Sequence, residues 1–165
     1  MADTRQPEPT VQSAVDRMLP SNVTEREDAQ HGRVRCIVVT PEKAVLDEAA
    51  ELIILPMIDG ELGVLQGRSP LIGRLGAGEL RLKSATGSVK RFFVEAGFVQ
   101  VRSNVVTVLT ASAKPAEAVT PALAEAAAAE ATALPSGNAV ERANKTKARD
   151  RAAGMKKVAA KNATA

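Results

Sequence analysis

The sequence predicts an all-β sandwich followed by a C-terminal antiparallel α-helical hairpin. Three observations carry this. Between Val34 and Ala113 short apolar runs are separated by Gly, Pro, Asp, Asn and Ser. After Pro115 the composition turns abruptly to alanine, a strong helix former. Leu134-Pro135-Ser136-Gly137 then divides that alanine-rich stretch in two. A chain of 165 residues accommodates one compact domain with an appendage. The expected division is an arm over residues 1–32, the sandwich over 33–114 and the hairpin with its tail over 115–165.

The arm holds Pro7, Pro9 and Pro20 around a few apolar residues and six acidic side chains, and is read as disordered. The strands expected next are Val34–Thr40, Ala44–Asp47, Glu51–Met57, Leu62–Leu65, Leu71–Leu75, Gly78–Lys83, Val89–Glu95, Phe98–Arg102 and Val105–Ala111. Turn signals such as Thr40-Pro41, Asp59-Gly60, Thr86-Gly87-Ser88 and Ser103-Asn104 stand between them. Strands so short and close leave no room for βαβ crossovers. Leu80 and Leu82 alternate with Glu79, Arg81 and Lys83, the pattern of a sheet with one buried face. Thr120 is the expected N-cap of the first helix, with Pro121 at its first position and a body over Ala122–Leu134. Asn138 followed by Glu141 marks a capping box opening a second helix that runs to about Lys161. Its apolar stripe (Val140, Ala148, Ala152, Met155 and Ala159, with Ala143 and Val158 at the margin) is shallow, as is that of the first helix (Leu123, Ala127, Ala131, Leu134). The two are expected to pack weakly and in more than one way.

Composition excludes several functions. With three Phe and neither Tyr nor Trp, the chain is poor material for an aromatic cage or a base-stacking platform. One His and one Cys exclude a Cys/His metal cluster, an internal disulfide and a Cys-x-x-Cys redox pair. Cys36 lies in an apolar run as a buried thiol, and His31 falls in the arm, so a Ser–His–Asp arrangement finds no support. Phosphate-cradling glycine motifs are missing, and Gly73, Gly76 and Gly78 lie between strands. No secretory or transit signal is evident, and no run of 18 apolar residues would span a membrane. No metal, cofactor or catalytic residue is expected, and a binding, structural or regulatory role follows.

The net charge of +3 hides an uneven distribution. Residues 1–32 carry −3, residues 33–115 carry +3, and residues 116–139 hold three Glu and no base. Residues 140–165 hold eight bases against Glu141 and Asp150, a net +6. The basic helix is open to three readings: a solvated face, a dock for an acidic protein surface, or a binder of nucleic-acid phosphates.

The segment Leu55-Pro56-Met57-Ile58-Asp59-Gly60-Glu61-Leu62-Gly63-Val64-Leu65-Gln66-Gly67-Arg68-Ser69-Pro70-Leu71-Ile72 resembles the epsilon subunit of the bacterial and chloroplast rotary ATP synthase. The stretches Leu75–Arg81, Phe93–Val101 and Asn104–Thr110 agree in the same order, over about 80 residues in all. The resemblance implies a flattened sandwich of about ten strands with a helical hairpin. It implies a non-catalytic rotor role in the central stalk, coupling ion-driven rotation of the membrane ring to ATP synthesis. The implied partners are the gamma subunit and the ring subunits, on the cytoplasmic face of the bacterial inner membrane as a peripheral part of the complex. By motif it assigns the interface with ring and gamma subunit to Glu61, Leu62, Gly63, Gly67 and Arg68. The family's His and Pro fall here on Arg68 and Gln66. The ATP-binding motif some members carry meets Leu123-Ala124-Glu125-Ala126-Ala127-Ala128, which lacks its Asp and Arg, so no nucleotide is expected. The family's hairpin also rises transiently to the catalytic head of alpha and beta subunits and inhibits hydrolysis. Arg142, Lys145, Arg149, Arg151, Lys156 and Lys157 would meet an acidic stretch there. The alternative is a β-sandwich binding module with a Lys/Ala-rich nucleic-acid-binding tail, which the scarcity of aromatic residues and the sandwich motifs disfavour.

Overall fold

A computed structural model describes residues 32–164. The disorder expected of residues 1–31, and the place of His31, lie outside the described residues. The strands are β1 (Val34–Val39), β2 (Ala44–Ala50), β3 (Leu52–Met57), β4 (Gly60–Val64), β5 (Leu71–Leu75), β6 (Gly78–Lys83), β7 (Val89–Val94), β8 (Gly97–Arg102), β9 (Val105–Thr110) and β10 (Ala113–Pro115). A 3₁₀ turn (Ala116–Ala118) leads to α1 (Pro121–Ala133) and α2 (Ala139–Asn162). Nine strands lie where the apolar runs place them. The tenth, β10, has only three residues and ends in a proline, so it carries no periodicity to read. It pairs only with β7, at the sheet edge where proline is tolerated.

The strands form one sheet in the order β10-β7-β6-β3-β5-β8-β9-β1-β2, with β4 on β3. All ladders are antiparallel except β1 with β9. Strand β3 is the hinge of the sandwich. Its Ile53 lies between Val64 of β4 and Leu82 of β6, whereas Met57 lies between Gly60 of β4 and Leu75 of β5. Thus β5 and β6 share one edge of β3, and the chain changes layer at Gly76-Ala77. The same change occurs at Glu95-Ala96, between β7 and β8, and at Ala111-Ser112, between β9 and β10. Three successive corners therefore fall at one end of the sandwich. Between the layers lie fully buried Ile53, Leu55, Leu80, Val99 and Val108, with Cys36 among them. Burial, reinforced by the charges of Asp47 and Glu48, pushes the Cys36 thiol up to about 12.

The helix caps follow the sequence. Thr120 Oγ1 accepts the Leu123 amide proton, and Asn138 Oδ1 accepts that of Glu141 at 2.8 Å. The Glu141 carboxylate accepts from the amides of Gly137 and Asn138, completing the capping box. The apolar stripes hold in part. Ala131, Ala152, Met155 and Ala159 are buried as expected, and so is Val158 from the margin, but Val140 and Leu123 are largely exposed and Ala124 is buried instead. The hairpin buries a face against the sandwich as well as between its own helices, and that second surface shifts the stripe.

Candidate functional site

Two features of the sandwich and one of the hairpin gather the candidate residues. The first is the end opposite the three corners, where β4 runs out into residues 65–70. Gly67 takes φ +77°, which favours glycine, and its amide donates to Asn104 Oδ1 at 2.8 Å. Asn104 and Ser103 both have positive φ and make the two-residue turn of the β8–β9 hairpin. The Asn104 carbonyl also accepts the Arg35 amide, so one asparagine binds the loop, the turn and the start of β1. Arg68 stands exposed on this end.

Glu61, Leu62 and Gly63 do not join it as a cluster. They are spread along β4 toward the corners: Leu62 leans on the core and the Glu61 carboxylate accepts from the Arg81 guanidinium of β6. Gly63 makes no turn. It is a strand residue opposite Ile54, and a methyl placed on it would meet only Leu52 at an ordinary 3.7 Å.

The second feature lies on the outer face of the β5-β8-β9 layer and was missed by the sequence reading. Ile72, Phe98 and Leu109 are 77%, 55% and 53% exposed. Phe98 stands directly opposite Leu109 on β9 and Arg74 on β5, and Leu109 is beside Val39 of β1. The signal was present: Phe98 and Leu109 occupy the outward parity that Gln100 and Thr107 share. One of the three Phe side chains is thus displayed rather than buried.

The third feature is the seat of α2 on the opposite layer. Gly154 lies so close to the Ala77 carbonyl at the first corner that an added methyl would come within 2.5 Å of its oxygen. The glycine that lowers helix propensity is what allows the helix to approach. Arg151 pairs with Glu95 at the second corner, N to O 2.9 Å. Lys161 Nζ donates to Glu79 Oε2 at 2.7 Å, and Arg91 donates to the other oxygen of Glu79. Asn162 donates to the carbonyls of Ala116 and Val119. Met155 and Val158 fill the space against Phe93, which is fully buried beneath them. Positions 151, 154, 155, 158 and 162 follow one helix face.

The six basic residues assigned to one partner surface therefore have different places. Arg142 and Lys145 close the hairpin, donating to the carbonyls of Gly137 and of Thr132 and Leu134 respectively. Arg151 is held by Glu95, and Lys157 lines a cleft of about 570 Å³ between α2 and the corners. Arg149 and Lys156 face solvent. Among the described residues the ion pairs of α2 run to the sandwich and none runs to the glutamates of α1.

Glu79 was expected on a solvent face, yet it is 5% exposed. Burial alone would raise its carboxyl, but the hydrogen bonds and charges of Lys161 and Arg91 hold it below the ordinary 4.5. A carboxyl with a lowered folded-state value contributes stability that is complete at pH 7 and is lost as pH falls from about 4.5 through the lowered value. The amides of α2 should accordingly lose hydrogen-exchange protection in that acid window, and Glu79→Gln should flatten the response. Equal acid responses in the two proteins would contradict the assignment.

No helix among the described residues is long and apolar enough to cross a membrane. Among the same residues, no group of three or more His, Cys, Asp and Glu is placed to hold a metal ion. Comparison with known proteins points one way. The family model described as the beta-sandwich domain of the ATP synthase delta/epsilon chain matches residues 33–116. The ATP synthase epsilon chain of Rhodopirellula baltica is 50% identical over 103 residues, covering 62% of this chain and 80% of that one. That of Desulfatibacillum aliphaticivorans is 41% identical over 83 residues, covering 50% of this chain and 59% of its own length. Among solved structures, a chain of the Euglena gracilis mitochondrial ATP synthase (OSCP/F1/c-ring) shares the fold. Its TM-score is 0.66 at 22% identity, covering 76% of this chain and 81% of that chain. A chain of the Tetrahymena thermophila central stalk and c-ring is similar at TM-score 0.53 and 14% identity, with 76% and 96% covered.

Proposed function

Because the chain belongs to the ATP synthase delta/epsilon family, we propose that it serves as a non-catalytic subunit of the rotary ATP synthase central stalk. It would couple rotation of the membrane ring to ATP synthesis from the cytoplasmic face of the bacterial inner membrane. The observation that carries the reading beyond family membership is the uncovered apolar face of Ile72, Phe98 and Leu109. The hairpin covers one layer of the sandwich and leaves this one open, so the face is read as the dock for the gamma subunit. The far end, with Gly67 and Arg68, is read as the ring contact, where Arg68 supplies a permanent positive charge. Glu61, half-exposed beside Arg81, is assigned to that contact by motif alone.

The alternative of a nucleic-acid-binding tail gains no support. Two cations of α2 are committed to the sandwich, and the relatives are ATP synthase epsilon chains. Inhibition of hydrolysis by α2 against an acidic surface of the alpha/beta head is part of the proposed role, with Arg149 and Lys156 ready in the docked state.

Affinity purification of the tagged full chain from its own cells tests the assignment. Gamma and ring subunits should co-purify at salt concentrations that strip adventitious partners. Recovery of the chain without them would overturn the reading. Replacing Arg149 and Lys156 together by Gln should leave that recovery unchanged and relieve hydrolysis inhibition roughly threefold in the reconstituted complex. Unchanged hydrolysis would remove these two residues from the inhibitory role.

A further inference from the structure

We propose that Glu79 and Glu95 form an electrostatic latch that withholds Arg151 and Lys161 of α2 from an acidic partner. Release of the hairpin then transfers these two cations from the sandwich to that partner. The proposal rests on the reading of α2 as a helix that engages an acidic protein surface, and adds the competition that controls it.

The geometry supports a latch rather than a permanent joint. Glu79 comes from β6 and stays with the sandwich when the helix departs. Arg91 of β7 remains beside it, so the buried carboxylate keeps one cation and is never stranded. Lys161 is the removable partner: its side chain is about half exposed while Glu79 is enclosed. Glu95 with Arg151 repeats the arrangement at the second corner, with the cation again the more exposed member. The apolar contact beneath joins Met155, Val158 and Ala159 to Phe93, Ala116 and Val119, and the two ion pairs stand at its rim. Such a seat gains much of its preference for one position from the two ion pairs and from the notch at Gly154. When the helix leaves, Arg151 and Lys161 add to Arg149, Lys156 and Lys157 on the same element, and the exposed basic surface grows at the moment of release. An acidic partner and the pair of glutamates therefore compete for the same two side chains.

The test uses the full chain with spin labels at Ser69→Cys and Ala160→Cys, both exposed positions. Cys36 stays unlabelled because it is buried and its thiol is pushed up to about 12. The chain with its native glutamates should give predominantly one interlabel distance. Glu79→Gln combined with Glu95→Gln, which alters no charge on the helix, should raise the ratio of released to docked hairpin roughly tenfold. Gly154→Ala should produce the same released distance by steric means, since its methyl would meet the Ala77 carbonyl. Poly-L-glutamate should bind the double glutamine variant several-fold more tightly than the parent chain. Adding Arg151→Gln and Lys161→Gln should cancel the gain.

Unchanged distances in the double glutamine variant would overturn the latch. Altered distances with unaltered poly-L-glutamate binding would overturn the transfer. If distances and binding shift as described while hydrolysis by the reconstituted complex stays constant, the latch stands and the inhibitory role of α2 falls.

Discussion

Phe98→Glu is expected to abolish co-purification of the gamma subunit while leaving the sandwich folded. Phe98 is 55% exposed and its neighbours on the outer face are Leu109 and Arg74. A carboxylate there meets water in the free chain and costs little. Pressed against a partner's apolar surface, the same carboxylate is desolvated without a counter-ion, and the aromatic anchor is lost as well. Loss of an anchor at the centre of an interface is worth about 2–4 kcal/mol, or roughly 30- to 1000-fold in affinity. The measurement is pull-down of gamma and ring subunits with the tagged variant, alongside its circular dichroism and denaturation midpoint. A variant that folds normally and retains full partner recovery would remove this face from the proposed interface. The comparison substitution Val140→Glu, at a still more exposed apolar residue of the hairpin, should leave recovery intact.

Gly97→Ala should do the opposite, strongly destabilising the fold with no direct effect on any surface. Gly97 follows the corner at Glu95-Ala96 and pairs with Thr110 on one side and Leu75 on the other. A methyl on it would lie 2.0 Å from the Leu109 carbonyl oxygen and 3.0 Å from its carbon. Backbone is what it meets, so no side-chain rotation relieves the clash, and β8 must part from β9. A loss of about 4 kcal/mol is expected, a large share of the roughly 5–15 kcal/mol that holds a small domain together. Urea denaturation followed by circular dichroism reads it, and a midpoint within error of the parent chain would refute it. Gly63→Ala is the instructive contrast. Its methyl meets only a leucine side chain at 3.7 Å, so stability should change by less than about 1 kcal/mol. Any loss of coupling in that variant then reports contact with the ring rather than damage to the sandwich.

These two glycines show how far local pattern reaches. Both stand next to apolar runs in the sequence, and nothing local tells their surroundings apart. Gly63 turned out to be an ordinary strand residue, whereas Gly97 is pinned by a carbonyl twelve positions away in the chain. The difference depends on which strands approach each other, and side-chain periodicity carries no information on that. Glu79 makes the same point. Its alternation with Leu80 places it correctly on the outer face of β6, but that face is roofed by a helix 82 residues further along. Phe98 is the converse case, an apolar residue on the outward parity of a layer that the described residues leave uncovered.

The sequence by itself determined the two-part architecture, nine of the ten strands among the described residues, and both helices with their caps. It could do so because strand alternation, turn chemistry and capping are interactions between residues a few positions apart. Only the tertiary structure decided where the hairpin sits, which cations of α2 are already engaged, and which sheet face remains open. Those outcomes arise where three strands change layer at one end of the sandwich and a helix lies across them at Gly154. They depend on distances between segments remote in sequence, fixed only when the whole chain has packed.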